Sequence, residues 1–205
     1  MNYDAAREEF AAMMQAIEED PHHVQHVAAL AVHLFDELAE LHGLGDHDRL
    51  VLEAAACLHD IGRSAAPLGS GHHRESARLI REHGWKHFSQ DSVRIMAQVA
   101  RYHRKSVPDL EHEDFAALSP AERVRVQQLA ALLRIADGLD TSHQQHITHL
   151  SAEIFPDRIV LHLSATRPAS PEIAAATRKS DLARAVFQRA IVLAPSPGMR
   201  ASAFP

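Results

Sequence analysis

A chain of 205 residues, on a scale of about 100 to 200 residues per domain, makes one domain or one domain with an appendage. Hydrophobic residues are 46% of the sequence and aromatics only 5%, so Ala, Leu, Ile and Val must fill the core, a mix that excludes an all-β fold. The net charge of -6 excludes a general attraction to nucleic acid or to an anionic membrane, so any anionic ligand has to be met by local cations.

Asp4 to Glu19 is predicted as an amphipathic helix with Phe10, Met13, Met14 and Ile17 on one face. Asp20-Pro21 opens a second helix to about Leu41, closed by His42-Gly43-Leu44-Gly45. A third, Asp48 to Ile61, is apolar almost all round and should cross the core, with Cys57 a small buried thiol and Gly62 the stop. Ser64 to Gly71 is predicted as a loop, followed by helices from His72 to His83 and from Gln90 to about Arg104. Ser119-Pro120-Ala121-Glu122 has the pattern of a capping box and starts a long helix to Leu139. Ile147 to Ser164 alternates as a strand pair around a turn at Pro156-Asp157-Arg158. A last helix is expected from Pro171 to about Leu193. The division is a helical domain over residues 1–145, a β-hairpin and helix over 146–194 packed on it, and a disordered tail over 195–205. No secretion signal and no run of about 18 apolar residues is present, which predicts a cytoplasmic protein without membrane contact.

Histidine is unusually frequent, 17 residues, and the informative question is which ionisable side chains share a face with the core. At 100 degrees per residue, His22, His26 and His33 fall with Glu37, whereas His23 falls with Val27, Leu30 and Leu34. His59 lies over Leu52 and Ala55 with Asp60 beside it, His73 falls with Ala77 and Ile80, His103 with Met96 and Val99, and Asp137 with Val126, Ala130 and Leu133. His22, His26, His33, His47 and His83 are expected to be solvated, and His162 and Lys179 have no special role in this reading. A buried carboxylate costs several kcal/mol unless paired or coordinated, so two of them among inward histidines call for a divalent metal. Nitrogen and oxygen ligands without thiolate suit Mn, Zn, Fe, Ni or Co in a catalytic rather than a closed structural site.

The ordered set His23, Leu58-His59-Asp60-Ile61-Gly62 and Ile135-Ala136-Asp137-Gly138-Leu139-Asp140 resembles the signature of the HD-domain metal-dependent phosphohydrolases. With His23-Val24-Gln25-His26-Val27, His73-Arg74-Glu75-Ser76-Ala77, Arg101-Tyr102-His103-Arg104-Lys105 and Leu133 to Asp140, the chain is closest to the C-terminal HD region of the exopolyphosphatase and guanosine pentaphosphatase (Ppx/GppA) family, from about Asp4 to Leu193. The resemblance implies a mainly α fold, an HD-domain helical bundle with a small C-terminal β-hairpin plus helix. In that family hydrolysis is carried by a preceding actin-like nucleotide-binding part, so the region here is expected to stand alone and act through its own metal site. Thr141 stands where close relatives tend to carry arginine.

The expected function is metal-dependent hydrolysis of a phosphate ester or anhydride, with nucleotides and polyphosphate as the substrate classes that the resemblance implies. His23, His59, Asp60 and Asp137 form the first metal site, and His73 and His103 match positions of further ligands in two-metal members. Asp60, His59 and Asp137 carry the catalytic role, Asp60 bridging two ions where both bind and Asp137 or a histidine receiving the proton. Arg63, Arg101, Arg104 and Lys105 are the candidates for holding substrate phosphates. The expected partner is a small phosphorylated substrate, and a homodimer is left open. The alternative is a non-catalytic module that binds polyphosphate or a nucleotide and regulates a partner; a third reading is a mixed-valent di-iron oxygenase.

Overall fold

The computed structural model describes residues 2–66 and 71–196. Its helices are α1 Tyr3–Ile17, α2 Pro21–Glu37, α3 Ala39–His42, α4 Asp46–Leu58, α5 His72–Glu82, α6 Gln90–Arg101, α7 Glu113–Ala116, α8 Pro120–Gly138, α9 Ser170–Lys179 and α10 Asp181–Phe187. The strands are β1 Ile147–Ile154, β2 Arg158–Ala165 and β3 Ala190–Pro195. The protein is thus mainly helical with one small sheet. No helix among the described residues is long and apolar enough to cross a membrane.

Helix α4 is central because its sequence lets it be: apart from Glu53, every residue from Leu50 to Leu58 is buried. Helices α1, α2, α6 and α8 pack around it, and α5 packs on α6. Each fully buried leucine contributes about 1.5 to 3 kcal/mol relative to an exposed one, so this apolar girdle fixes the orientation of everything that α4 carries at its end. Helix α8 starts with the expected capping box, Ser119 accepting from Glu122 N and Glu122 accepting from Ser119 N. Cys57 is buried, and burial pushes its thiol up to about 12.

Two glycines set the approach of the elements that matter most. A Cβ on Gly62 would lie 2.4 Å from His72 O and 2.5 Å from Ser76 N, so only glycine lets the turn after α4 press against the first turn of α5. Gly62 N there donates to Ser76 Oγ at 2.9 Å. A Cβ on Gly138 would lie 2.6 Å from Ala176 Cα, so α8 and α9 cross backbone to backbone.

Several boundaries differ from the sequence reading. The second helix breaks at Leu38, where the backbone leaves helical geometry, and α3 continues to a buried His42 before Gly43 closes it in a left-handed conformation. Helix α4 stops at Leu58, so His59 is its C-cap and Asp60 stands in the following turn. Helix α6 ends at Arg101. The expected hairpin forms, its strands antiparallel with Ile154 opposite Ile159.

The single last helix does not form. The chain breaks after Lys179 and Gln188 turns left-handed at φ 52, after which β3 runs parallel to β2 with Ile191 opposite Ile159. β-branched Ile191 and Val192 suit a pleated surface as well as a helix, and the open edge of β2 offers the backbone partners. Of the expected tail, Pro195 belongs to β3 and Ser196 N donates to Leu163 O at 2.8 Å, while 197–205 fall outside the described residues.

Candidate metal centre

Five of the six expected ligands converge. Three groups of potential ligand atoms, each within 4.8 Å of one another, are His23/His59/Asp60, His59/His103/Asp137 and Asp60/His72/His103. All of these side chains are buried. His73 is buried too and shares the face of Ala77 and Ile80, but it joins none of the three groups; its neighbour His72 does. The reason is positional. His72 is the first residue of α5, the end against which Gly62 presses, and its Nε2 therefore reaches Asp60 Oδ1 at 3.1 Å.

The imidazoles are fixed from behind. His59 Nδ1 lies 2.7 Å from Ala56 O, and His103 Nδ1 lies 2.7 Å from Ala100 O. His23 Nδ1 lies 2.8 Å from Asp140 Oδ2. Acceptors in these places hold the proton on Nδ1 and turn the Nε2 lone pair inward, the arrangement that metal-binding histidines use. His143 stacks on His23 at 3.7 Å and its Nδ1 contacts Asp20 Oδ2 at 2.7 Å, while Asp20 also caps α2 by accepting from His23 N.

What the inward atoms meet is each other. His23 Nε2 and His59 Nε2 are buried without a hydrogen-bond partner, and Asp60 Oδ1 faces His72 Nε2 at 3.1 Å. His23 Nε2 is 3.7 Å and His59 Nε2 4.0 Å from Asp137 Oδ1, and His103 Nε2 is 3.5 Å from Asp60 Oδ1. Asp60 turns its other oxygen, Oδ2, to His59 Nε2 at 3.6 Å. Acceptors facing acceptors in a dry pocket are costly, and a cation between them removes the cost. The residues present therefore fit a divalent ion.

Burial alone would raise the Asp60 carboxyl, but His59, His72, His103 and Arg63 outweigh it and hold it well below the carboxylate range. Asp137 follows the same pattern: burial raises it, and Lys179, His103 and His59 bring it down to about 2. Burial pushes the pKa of the His103 imidazole well below its ordinary value. Both carboxyl groups are thus shifted toward the ionised form.

Above these side chains lies a cavity of about 260 Å³ lined by Arg63, His103, Arg104, Asp137, Thr141, His143 and Lys179. Arg63 Nη2 reaches Asp60 Oδ2 at 2.5 Å, Arg104 Nη1 lies 3.3 Å from His72 Nε2, and Lys179 Nζ donates to Asp137 Oδ2. Arg101 is turned to Asp114 at 3.6 Å and Lys105 is exposed with φ 58, so neither lines this cavity.

Three members of the assembly, His72, Asp140 and Lys179, lack an apolar-face signal in the sequence, and Lys179 has a role that the sequence does not mark. Of the histidines expected on the surface, His22 and His83 are exposed. His26, His33 and His47 are half-buried, His47 Nε2 at 2.8 Å from Ser92 Oγ.

The family model described as Ppx/GppA phosphatase, domain III, matches residues 7–174. No curated protein matches the chain.

Proposed function

The chain belongs to the Ppx/GppA phosphatase, domain III, family, and from that premise we propose that it is a metal-dependent phosphohydrolase of HD type acting on a phosphate ester or anhydride. The observation that carries the reading is the convergence of three imidazoles, each braced at Nδ1, on the two carboxylates, with His23 Nε2 and His59 Nε2 left buried and unpaired. His23, His59, Asp60 and Asp137 would hold one ion, and Asp60, His72 and His103 a second. A divalent ion supplies there the polarisation of a phosphoryl oxygen and the lowered pKa of an attacking water.

The chain's own residues do the rest. Arg63 and Arg104 present guanidinium groups to the cavity and suit the oxygens of a phosphoryl group. Asp137, with Oδ1 toward His23 and His59 and Oδ2 toward Lys179, would serve as a ligand. The polar lining offers no apolar wall for a nucleobase, which favours the phosphate end of the substrate as the recognised part.

A binding module without turnover is the second reading. It is favoured by the pairing of Arg63 with Asp60 and of Lys179 with Asp137, which neutralises both carboxylates from within the chain. The deciding experiment is a phosphate-release panel of monoesters, diesters, nucleotides and short polyphosphates, run with Mn, Zn, Fe, Ni or Co and again with chelator. Metal-dependent turnover of at least one class supports the enzyme. Binding of phosphorylated compounds without turnover under any metal supports the module.

A further inference from the structure

Lys179 is the last residue of α9, in the part of the chain that follows the hairpin, yet its ammonium donates to Asp137 Oδ2 in the centre of the protein. The crossing at Gly138 and Ala176 brings it there. Asp137 uses its two oxygens differently, Oδ1 toward His23 and His59 and Oδ2 toward Lys179. Asp137 keeps only 11% of its side chain exposed, but Lys179 keeps 27% and lines the cavity together with Arg63 and Arg104. A lysine that is both a partner of a buried ligand and a wall of the anion cavity can serve one or the other fully, not both.

We propose that Lys179 is a substrate-binding cation gated by the metal: a divalent ion on Asp137 draws that carboxylate's charge and releases the ammonium to hold a phosphate oxygen in the cavity. The inference rests on the proposed metal reading. Charge bookkeeping supports it. Asp60 and Asp137 bring two negative charges, and Arg63 and Lys179 neutralise them, while Arg104 has no carboxylate partner among the described residues. One divalent ion among the histidines takes over that neutralisation and frees two cations at once. Phosphate affinity and metal affinity are then linked, and by reciprocity phosphate strengthens metal retention as well.

The flexible stem of lysine suits this double role, since its point charge can swing between two acceptors without a fixed fork geometry. The reach is short, because donor and cavity share the same wall. The gate also gives a net acidic protein an anion site that is strong only when the ion needed for chemistry is in place.

The test is calorimetric titration of orthophosphate into wild type and Lys179→Gln, each freed of metal by chelator and each loaded with Mn and desalted. Glutamine can still donate to Asp137 but carries no charge. Mn-loaded wild type is expected to bind phosphate about tenfold or more tightly than Mn-loaded Lys179→Gln, the worth of one charge-assisted hydrogen bond. The two chelated proteins are expected to bind it equally weakly, and Lys179→Arg to keep most of the loaded affinity. Equal affinity of the two loaded proteins overturns the proposal. So does the same loss in the chelated pair, which would make Lys179 a constant anion site. Elemental analysis of the loaded samples separates the two levels: wild type that retains no Mn fails the metal reading itself and the gate with it. Should Lys179→Gln fail to fold, Lys179→Arg against wild type at rising phosphate carries the comparison, with Mn retention that does not rise with phosphate in either protein overturning the linkage.

Discussion

His23 Nδ1 meets Asp140 Oδ2 at 2.8 Å, and both side chains are closed off from solvent. Asp140 is held in turn by Gln145, whose backbone N donates to Oδ1 at 2.7 Å and whose amide donates to Oδ2 at 3.2 Å. This is a carboxylate behind an imidazole, the arrangement that fixes the tautomer and orientation of a ligand. Asp140→Asn is therefore expected to weaken metal binding about 10- to 100-fold while leaving the helical content unchanged. Chelator competition followed by circular dichroism checks both; undiminished affinity would leave Asp140 with a packing role only.

His72 and His73 are adjacent in the first turn of α5 and both buried, yet only His72 reaches Asp60. His72→Ala is expected to lower metal stoichiometry or activity at the second site by an order of magnitude or more, since removal of a ligand costs more than removal of its support. His73→Ala should cost only packing, about 1 to 3 kcal/mol of stability. The reverse ranking in paired metal assays and thermal melts would return the role to His73.

The convergence of His23, His59, Asp60, His103 and Asp137 was legible because helix geometry ties each of them to apolar neighbours whose direction is not in doubt. His59 lies one residue past the end of α4 and Asp60 two, and His103 lies two past the end of α6, so the helical angle still gives the approximate direction of each. His72 was not legible, because the first residue of a helix projects from its end and its direction depends on what presses there, in this case Gly62. Lys179 depends on a contact between Gly138 and Ala176, far apart in sequence, and Asp140 on the turn beyond α8. The parallel pairing of β3 was hidden for the same reason, since Ile191-Val192-Leu193 has no helical or strand period of its own over so short a run.

Gly62 offers a test of the packing that places His72. Gly62→Ala puts a methyl carbon within 2.4 Å of His72 O, so backbone must shift. The expected cost is about 1 to 3 kcal/mol or more, read as a lower denaturation midpoint, together with weakened second-site metal binding. An unchanged midpoint would show that the turn has room that the geometry denies it.

His42 gives a pH dependence separate from the metal ligands. Its Nε2 contacts Phe35 O at 2.8 Å while Nδ1 accepts from Leu44 N at 2.9 Å, a pattern only the neutral ring satisfies. Burial, opposed by that carbonyl and by Asp48 and Asp36, lowers its pKa from the ordinary 6.5. The unfolded chain therefore takes up the proton first. The stabilisation from His42 is full above about pH 6.5 and is lost as pH falls below it toward the depressed folded value, with a slope of at most about 1.4 kcal/mol per pH unit. His42→Gln, which keeps a donor and an acceptor, should flatten the fall in urea-unfolding stability between pH 7 and 5 relative to wild type. A slope equal to that of wild type would place the titration elsewhere.

If buried Asp60 and the histidines around it hold a catalytic metal, the purified protein must contain it. Purified wild type, after mild isolation and dialysis against Mn, Zn, Fe, Ni or Co, should carry at least one tightly held transition-metal ion per chain, and Asp60→Asn should lose most of it while remaining folded. Wild type that retains none of these metals, or Asp60→Asn that retains as much as wild type, would mean that Asp60 and its histidines hold no metal.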